Sequence, residues 1–319
     1  MKKILGILGL LVAIVVATSL ASDRFLSPEN LENVVRRVGL FGILSVGAAF
    51  VIVTGGIDLS IGSVVCLCGC LFPWLLVEQA WPVWLALTAV MGLALAIGLL
   101  HGLLVTRLKL QPFVVTLCGL LLYRGLARGV TGDRTVGFGS ELRWLSDIGA
   151  GRIELGGSLG IPTPCVFLIV IAGLAWFFFA KTVPGRWLLA LGRNEEAARL
   201  SGVPTARMVV LSYVVCALLG GLGGLLFVLD VNSAQPSDFG NFYELYAIAG
   251  AVLGGCALRG GEASILGVLI GTTVMQVLRN ANNLIDEIPN QIEFAVIGAV
   301  ILGGAIVDVL VRRFAARRR

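Results

Sequence analysis

Charge is scarce in this chain. Only 13% of its 319 residues are Asp, Glu, Lys or Arg, about half the share usual in a soluble domain. Hydrophobic residues make up 57%, and the mean hydropathy is +0.96. A soluble fold of this size has no interior large enough for so much apolar surface, so lipid is the solvent implied. Histidine is almost missing: His101 is the only one. No His, Cys and carboxylate cluster has metal-ligand spacing, and no Ser, His and Asp set sits in a soluble region. The G-x-x-x-x-G-K-[ST] phosphate loop is also absent, so the chain cannot bind ATP by that device. An enzyme acting alone is excluded by these gaps, and no cofactor is implied.

Cysteine is present but not as a framework. Of seven, Cys66, Cys68, Cys70, Cys118 and Cys216 fall in apolar runs. The Cys66-x-Cys68-x-Cys70 spacing imitates a metal site, yet residues two apart on a helix point about 200° apart and cannot share a ligand face. They read as small buried hydrophobes. The net charge of +5 collects in short loops and at Arg312, Arg313, Arg317, Arg318 and Arg319. That distribution reads as membrane topology, not as a nucleic-acid face.

What is there is a series of apolar runs near the length of about 20 residues that a spanning helix needs. Candidates cover 4–21, 38–54, 62–79, 83–106, 112–130, 163–181, 208–230, 243–258, 262–282 and 291–311. Breakers separate them at Ser27-Pro28, Gly55-Gly56, Trp81-Pro82, Gln111-Pro112, Pro162 to Pro164, Pro184-Gly185, Pro236, Gly260-Gly261 and Pro289. The first run follows Met1-Lys2-Lys3 and is similar to a secretory signal, but its length favours an uncleaved first helix. With ten spans and the N-terminus inside, most Lys and Arg fall inside and most Asp and Glu outside, which supports N-in and C-in. Arg124, Arg128 and Arg134 run against that trend. The expected fold is an all-α integral membrane protein, a single transmembrane domain over 1–319. Its longest outer loop is 131–162 and its longest inner loop 182–207. Small-xxx-small pairs at Gly98/Gly102, Gly220/Gly224, Gly250/Gly254 and Gly267/Gly271 predict close helix packing.

The inner loop carries a local signal. Asn194 can cap a helix whose first turn holds Glu195 and Glu196, favourable at the positive end of the helix dipole. Ala197, Ala198 and Leu200 extend it, and Gly202 and Pro204 end it. A helix of about two turns does not stand alone in water, so it must dock. A second landmark is Thr54-Gly55-Gly56-Ile57-Asp58-Leu59-Ser60-Ile61-Gly62-Ser63. Its glycines allow a turn or a helix break within the membrane. Asp58 there is either a cap for the next helix or a pathway residue, and the two roles are compatible. His101 reads as a hydrogen-bonding residue, with proton relay the weaker alternative.

These segments resemble those of a known family. Glu196-Ala197-Ala198-x-x-x-Gly202, within Gly192, Arg193, Asn194, Glu195, Arg199 and Ser201, is similar to the coupling-helix signature of ABC importer permeases. Its spelling is that of the ribose, xylose and galactose-type sugar permeases. The Gly55-Gly56-Ile57-Asp58-Leu59-Ser60 run resembles a hallmark of the same group. So do Gln111-Pro112-Phe113-Val114-Val115-Thr116-Leu117 with Tyr123-Arg124-Gly125, and Gly254-Gly255 with Gly260-Gly261. Gln111 and His101 depart from the usual residues. The resemblance implies a type II importer-like permease bundle in the bacterial inner membrane. It implies an ABC ATPase subunit beneath, a periplasmic solute-binding protein on the outer loops 131–162 and 231–242, a second permease chain, and lipid around the bundle. It further implies coupling through 192–202 and a path touching Gly55, Gly56, Asp58, Ser60, Phe113 and Thr116. Asn280, with Asn282 and Asn283, ends a span near an outer mouth, where the amides either meet solute hydroxyls or cap and solvate the loop. The solute implied is a monosaccharide or a related small polar solute. Permeases for branched-chain amino acids or nucleosides, and ion-coupled secondary transporters, are the alternatives.

Overall fold

The computed structural model describes residues 2–139, 142–154 and 160–285, with isolated helical positions at 295, 298, 299, 302 and 303. The candidate span 291–311 therefore lies largely outside the described residues. Along the rest the elements are α1 (Lys2–Ala21), α2 (Pro28–Val53), α3 (Ile61–Val77), α4 (Val83–Thr106), α5 (Pro112–Thr131), α6 (Arg143–Ala150), β1 (Arg152–Glu154), β2 (Gly160–Pro162), α7 (Thr163–Lys181), α8 (Val183–Arg193), α9 (Glu195–Leu200), α10 (Thr205–Val231), α11 (Tyr243–Leu253) and α12 (Ile265–Leu284). Among the described residues, α2, α4, α5, α7 and α10 are long and apolar enough to cross a membrane, and 5–21, α3 and α11 are shorter apolar helices.

Local chemistry sets the ends. Ser27 caps α2, accepting from the Asn30 N–H at 3.3 Å with Pro28 at the first helical position, so the predicted break at Ser27-Pro28 is a helix start. Ser264 caps α12 in the same way through the Gly267 N–H at 3.1 Å. Gly132, at φ +62°, closes α5 in the left-handed conformation.

Helix α10 is the axis, packed on α2, α3 and α4; α11 and α12 complete the bundle against α2. The small-residue pairs lie at these seams. A side chain at Gly98 would stand 2.6 Å from the Val214 Cα, and one at Gly102 2.7 Å from the Val210 Cα, so α4 meets α10 backbone to backbone. Gly224 does the same toward the Val65 carbonyl of α3, Gly220 lies under the Ile61 and Val64 side chains, and Gly250 and Gly254 face Gly271 and Gly267 of α12. Phe41 of α2 fills the centre, with ring centroids 5.2 Å from Phe227, 4.8 Å from Tyr243 and 5.4 Å from Tyr246.

Two helices, α3 and α11, begin inside the bundle, and α11 is short. The first residue of α3, Ile61, packs on Gly220, which lies roughly 22 Å along α10 at 1.5 Å per residue. The chain thus leaves α2, turns, and climbs back as irregular backbone over 54–60 before α3 starts. From the opposite side, segment 232–242 descends beside α3: the Cys66 Sγ meets the Pro236 carbonyl at 3.4 Å, and Phe239 covers Gly69. Helix α11 then starts next to Gly62, with the Glu244 carboxylate over the first turn of α3. Its 11 residues span only about 16 Å, so the expected span at 243–258 is a half-span. Irregular backbone at such depth is tolerated where protein satisfies it. The Arg124 guanidinium does so here, donating to the Pro236 and Phe239 carbonyls at 3.2 and 2.7 Å.

The segment 131–162, expected as a plain loop, contains α6 and the β1–β2 hairpin. Val136 and Ala234 exchange two backbone hydrogen bonds at 3.0 and 2.8 Å, and Thr135 bonds Gln235, so the segments at 133–139 and 232–235 form one surface. Arg36 of α2 ties it down, donating to the Ala150 carbonyl at 2.5 Å and to Asp230 at 3.3 Å. Asp133 is gripped by Arg128 through bonds of 2.9 and 2.6 Å, which hold its carboxyl below the usual carboxylate range.

Candidate functional site: a docking rod and a buried polar cluster

Helix α8 was not anticipated as a separate element. Thr182 caps it, accepting from the Gly185 N–H at 3.1 Å. Gly185, Leu188 and Leu191 face the bundle, while Arg186, Ala190 and Arg193 face out. Asn194 then breaks the helix with extended backbone (φ −161°) and caps α9, accepting from the Ala197 N–H at 2.9 Å. Glu195 and Glu196 occupy the first turn as the sequence requires. The end of α9 is closed by the Val203 N–H on the Ala198 carbonyl at 3.0 Å, with Gly202 at φ +82°.

The rod formed by α8 and α9 rests on a glycine junction. Any side chain at Gly192 would collide with the Val53 carbonyl and the Gly261 N–H. The Gly261 N–H itself donates to the Val53 carbonyl at 2.9 Å. A side chain at Gly260 would stand 2.8 Å from both the Gly192 carbonyl and the Gly55 N–H. The end of α2, the α11–α12 turn and the end of α8 therefore meet with no side chain between them. On the outward side, Arg186, Leu189, Ala190, Arg193, Asn194, Ala197, Ala198, Ser201 and Val203 line a groove of about 470 Å³ that contains no acidic residue. These two arginines make no salt bridge among the described residues. Nothing in the sequence signalled the groove, because it needs the angle between α8 and α9.

Asp58 lies in the irregular segment before α3 and is 4% exposed. Its Oδ1 accepts from the Ser60 N–H at 2.8 Å and from the Ser60 hydroxyl at 2.6 Å. The Thr116 hydroxyl on α5 donates within its own helix to Pro112 at 3.0 Å and also lies 3.2 Å from the Ile57 carbonyl. Gly56 presses on the Tyr213 hydroxyl: a side chain there would stand 2.9 Å from the oxygen. His101 Nε2 and the Tyr123 hydroxyl are 2.8 Å apart. Asp58, Ser60 and Thr116 are residues the sequence singles out as path residues; Tyr123 stands in a quoted motif without a role, and Tyr213, on α10, carries no signal in the sequence.

Not all the named path residues join this cluster. Phe113 is 51% exposed on the outside of the bundle. Asn280 lies near the far end of α12, where it exchanges two side-chain hydrogen bonds with Asn30, at 3.1 and 2.7 Å. Cys66 and Cys68 diverge, toward Pro236 and Val90, and among the described residues no group of His, Cys, Asp and Glu is arranged to hold a metal.

Residues 30–305 match the family described as the permease component of branched-chain amino acid transport systems. The ribose import permease protein RbsC of Bacillus subtilis is 36% identical over 97% of this chain and 93% of its own. The galactofuranose transporter permease protein YtfT of Escherichia coli is 33% identical over 89% of this chain and 80% of its own. The xylose transport system permease protein XylH of Escherichia coli is 28% identical over 98% and 93%. No solved structure gives a significant match. By these matches and its apolar helices, the chain belongs to the sugar-importer family of ABC transporter permeases and is a multi-pass protein of the inner membrane.

Proposed function

We propose that this chain is the membrane-spanning subunit of an ATP-driven importer that moves a monosaccharide delivered by a periplasmic binding protein. The observation that carries the coupling part is the rod of α8 and α9, seated backbone to backbone on the ends of α2 and α11 at Gly192, Val53 and Gly261. An ATPase subunit gripping α9, with the exposed Arg186 and Arg193 offered to its carboxylates, would pass motion to three elements at once. The cytoplasmic side is then the side of Gly55, Asn194 and Gly260. The zipped surface of 133–139 and 232–235 faces the binding protein, and a second permease chain completes the pathway. The path itself is assigned to the interrupted segment at Gly55, Gly56, Asp58 and Ser60, with Thr116 beside it.

The test is co-purification and transport. Membranes carrying the chain with its cognate ATPase should yield a complex whose ATP hydrolysis rises with loaded binding protein. Glu196→Ala and Gly202→Val should uncouple hydrolysis from uptake. Unchanged uptake and unchanged assembly in both variants would remove the coupling role. A second reading, carriage of a branched-chain amino acid, draws on the description of the matched family. Uptake of labelled leucine but not ribose would select it.

A further inference from the structure

Around Asp58 the structure gathers more polar chemistry than the fold uses. Tyr213 is 1% exposed, His101 1%, Tyr123 4% and Thr116 0%. They come from α10, α4 and α5, and all face the irregular segment before α3. Gly56 lies against the Tyr213 hydroxyl and the Ile57 carbonyl against the Thr116 hydroxyl, on either side of Asp58's segment. The rings are in contact distance, with centroids 5.5 Å between His101 and Tyr123 and 6.2 Å between His101 and Tyr213. Yet among the described residues the Tyr213 hydroxyl and His101 Nδ1 have no hydrogen-bond partner. A buried polar atom left unpaired is destabilising. Two such atoms on neighbouring rings point to a partner that comes and goes.

We infer that Tyr213, His101 and Asp58 form a solute-contact site in the translocation path, built for the hydroxyl groups of a neutral sugar. This deepens the permease reading and rests on it. The chemistry fits that class. The Tyr213 hydroxyl donates and accepts, and Asp58 accepts. His101 Nδ1 takes whichever role its Nε2 leaves it in bonding Tyr123. Each sugar hydroxyl is likewise both donor and acceptor. The three aromatic rings supply faces for the apolar C–H side of a pyranose or furanose. Among the described residues no cationic side chain joins the cluster: Arg124, one residue from Tyr123, is turned to the Pro236 and Phe239 carbonyls. An anionic solute would meet Asp58 with nothing to offset it. In the conformation described here the site is shut, since Gly56 leaves no gap before the Tyr213 hydroxyl. Its opening requires α10 to move, and α10 begins directly after α9, the rod proposed to receive the drive.

The native thiol of Cys216 reports on this. It is fully buried one turn from Tyr213, on the same helix. The assembled complex in liposomes is treated with a small hydrophilic methanethiosulfonate, with and without ATP and ribose-loaded binding protein, and Cys216 modification is read by mass spectrometry. Modification should be several-fold faster during turnover than at rest. An equal rate in both states would overturn the site. In parallel, Tyr213→Phe should cut ribose uptake about ten-fold, the factor for one lost hydrogen bond of about 1.4 kcal/mol, while complex assembly and stimulated ATP hydrolysis persist. Wild-type uptake by Tyr213→Phe would make its hydroxyl a structural group only and overturn the assignment. If that variant fails to assemble, the Cys216 rates of the native complex decide. Failure of coupling in the Glu196 and Gly202 variants bears on the rod alone, so the two readings can fall separately.

Discussion

The amide of Gly261 donates to the carbonyl of Val53 at 2.9 Å, across a junction that also holds Gly192. That bond joins the last turn of α2 to the turn between α11 and α12, and α8 sits on it without a side chain in the way. Each partner is the terminal group of a helix or turn, so the junction also satisfies donors and acceptors that helix ends leave open.

Gly192→Ala is expected to damage assembly more than its size suggests. The added methyl would meet the Val53 carbonyl and the Gly261 N–H together, and neither is a flexible side chain. Overpacking of this kind costs about 1–3 kcal/mol. Gly202→Ala is the contrast: φ is +82° but nothing lies near the added carbon, so only backbone strain of about 1 kcal/mol is paid. Thermal unfolding in detergent should order the three chains as native, Gly202→Ala, Gly192→Ala. The reverse order would show that the junction yields easily.

Asn194→Ala should weaken α9 by about 1 kcal/mol, the usual value of a helix cap. Its amide oxygen serves the Ala197 N–H at 2.9 Å, and a helix of six residues has little else to hold it when no partner is bound. Hydrogen exchange at 197–200 should quicken in the isolated chain and recover in the complex with the ATPase. Asn194→Asp should leave exchange close to native, since a carboxylate caps as well and suits the helix dipole.

Much of this was legible because it is local. The α9 cap, its acidic first turn and its glycine stop are written within nine residues, and the long apolar runs announce α4, α5, α7 and α10. The interior starts of α3 and α11 were less so, as was the short length of α11. Apolar length alone cannot tell a crossing helix from one that starts mid-bundle, because the difference lies in where 54–60 and 232–242 pass. The aromatic cluster at Tyr213 and Tyr123 was invisible for the same reason. A tyrosine in an apolar run carries no mark of its neighbour until α4, α5 and α10 are placed together. Asn280 shows the converse: its side chain reads as a path residue at an outer mouth, while distance in sequence hides Asn30.

On the surface opposite the rod, Arg36 holds α6 and the hairpin to the bundle. Its side chain is 13% exposed and that of Asp230 8%. Removing one partner of such a pair leaves the other charge nearly buried, at a cost of about 3 kcal/mol. Arg36→Gln also removes the bond to the Ala150 carbonyl. Limited proteolysis should then cut within 142–154 well before the native chain is cut, with the helical circular dichroism little changed. Protection equal to native would mean that packing of Gly149 on Leu229 is sufficient by itself.

The pairing of Asn30 with Asn280 closes the bundle at the end of α12. Two amides exchange bonds at 3.1 and 2.7 Å, and Asn30 also donates to the Phe25 carbonyl at 2.8 Å. Pairs of this type between membrane helices are worth less than their burial suggests, about 0.6 kcal/mol on average, because the alternative state also finds partners. A double-mutant cycle with Asn30→Ala and Asn280→Ala should return a coupling of about that size. Transport offers the sharper contrast. If Asn280 serves only this seam, each single variant should lose stability while its uptake per folded complex stays native. If Asn280 also meets solute, Asn280→Ala should lower uptake and Asn30→Ala should not, because only one of the two amides was assigned to the path.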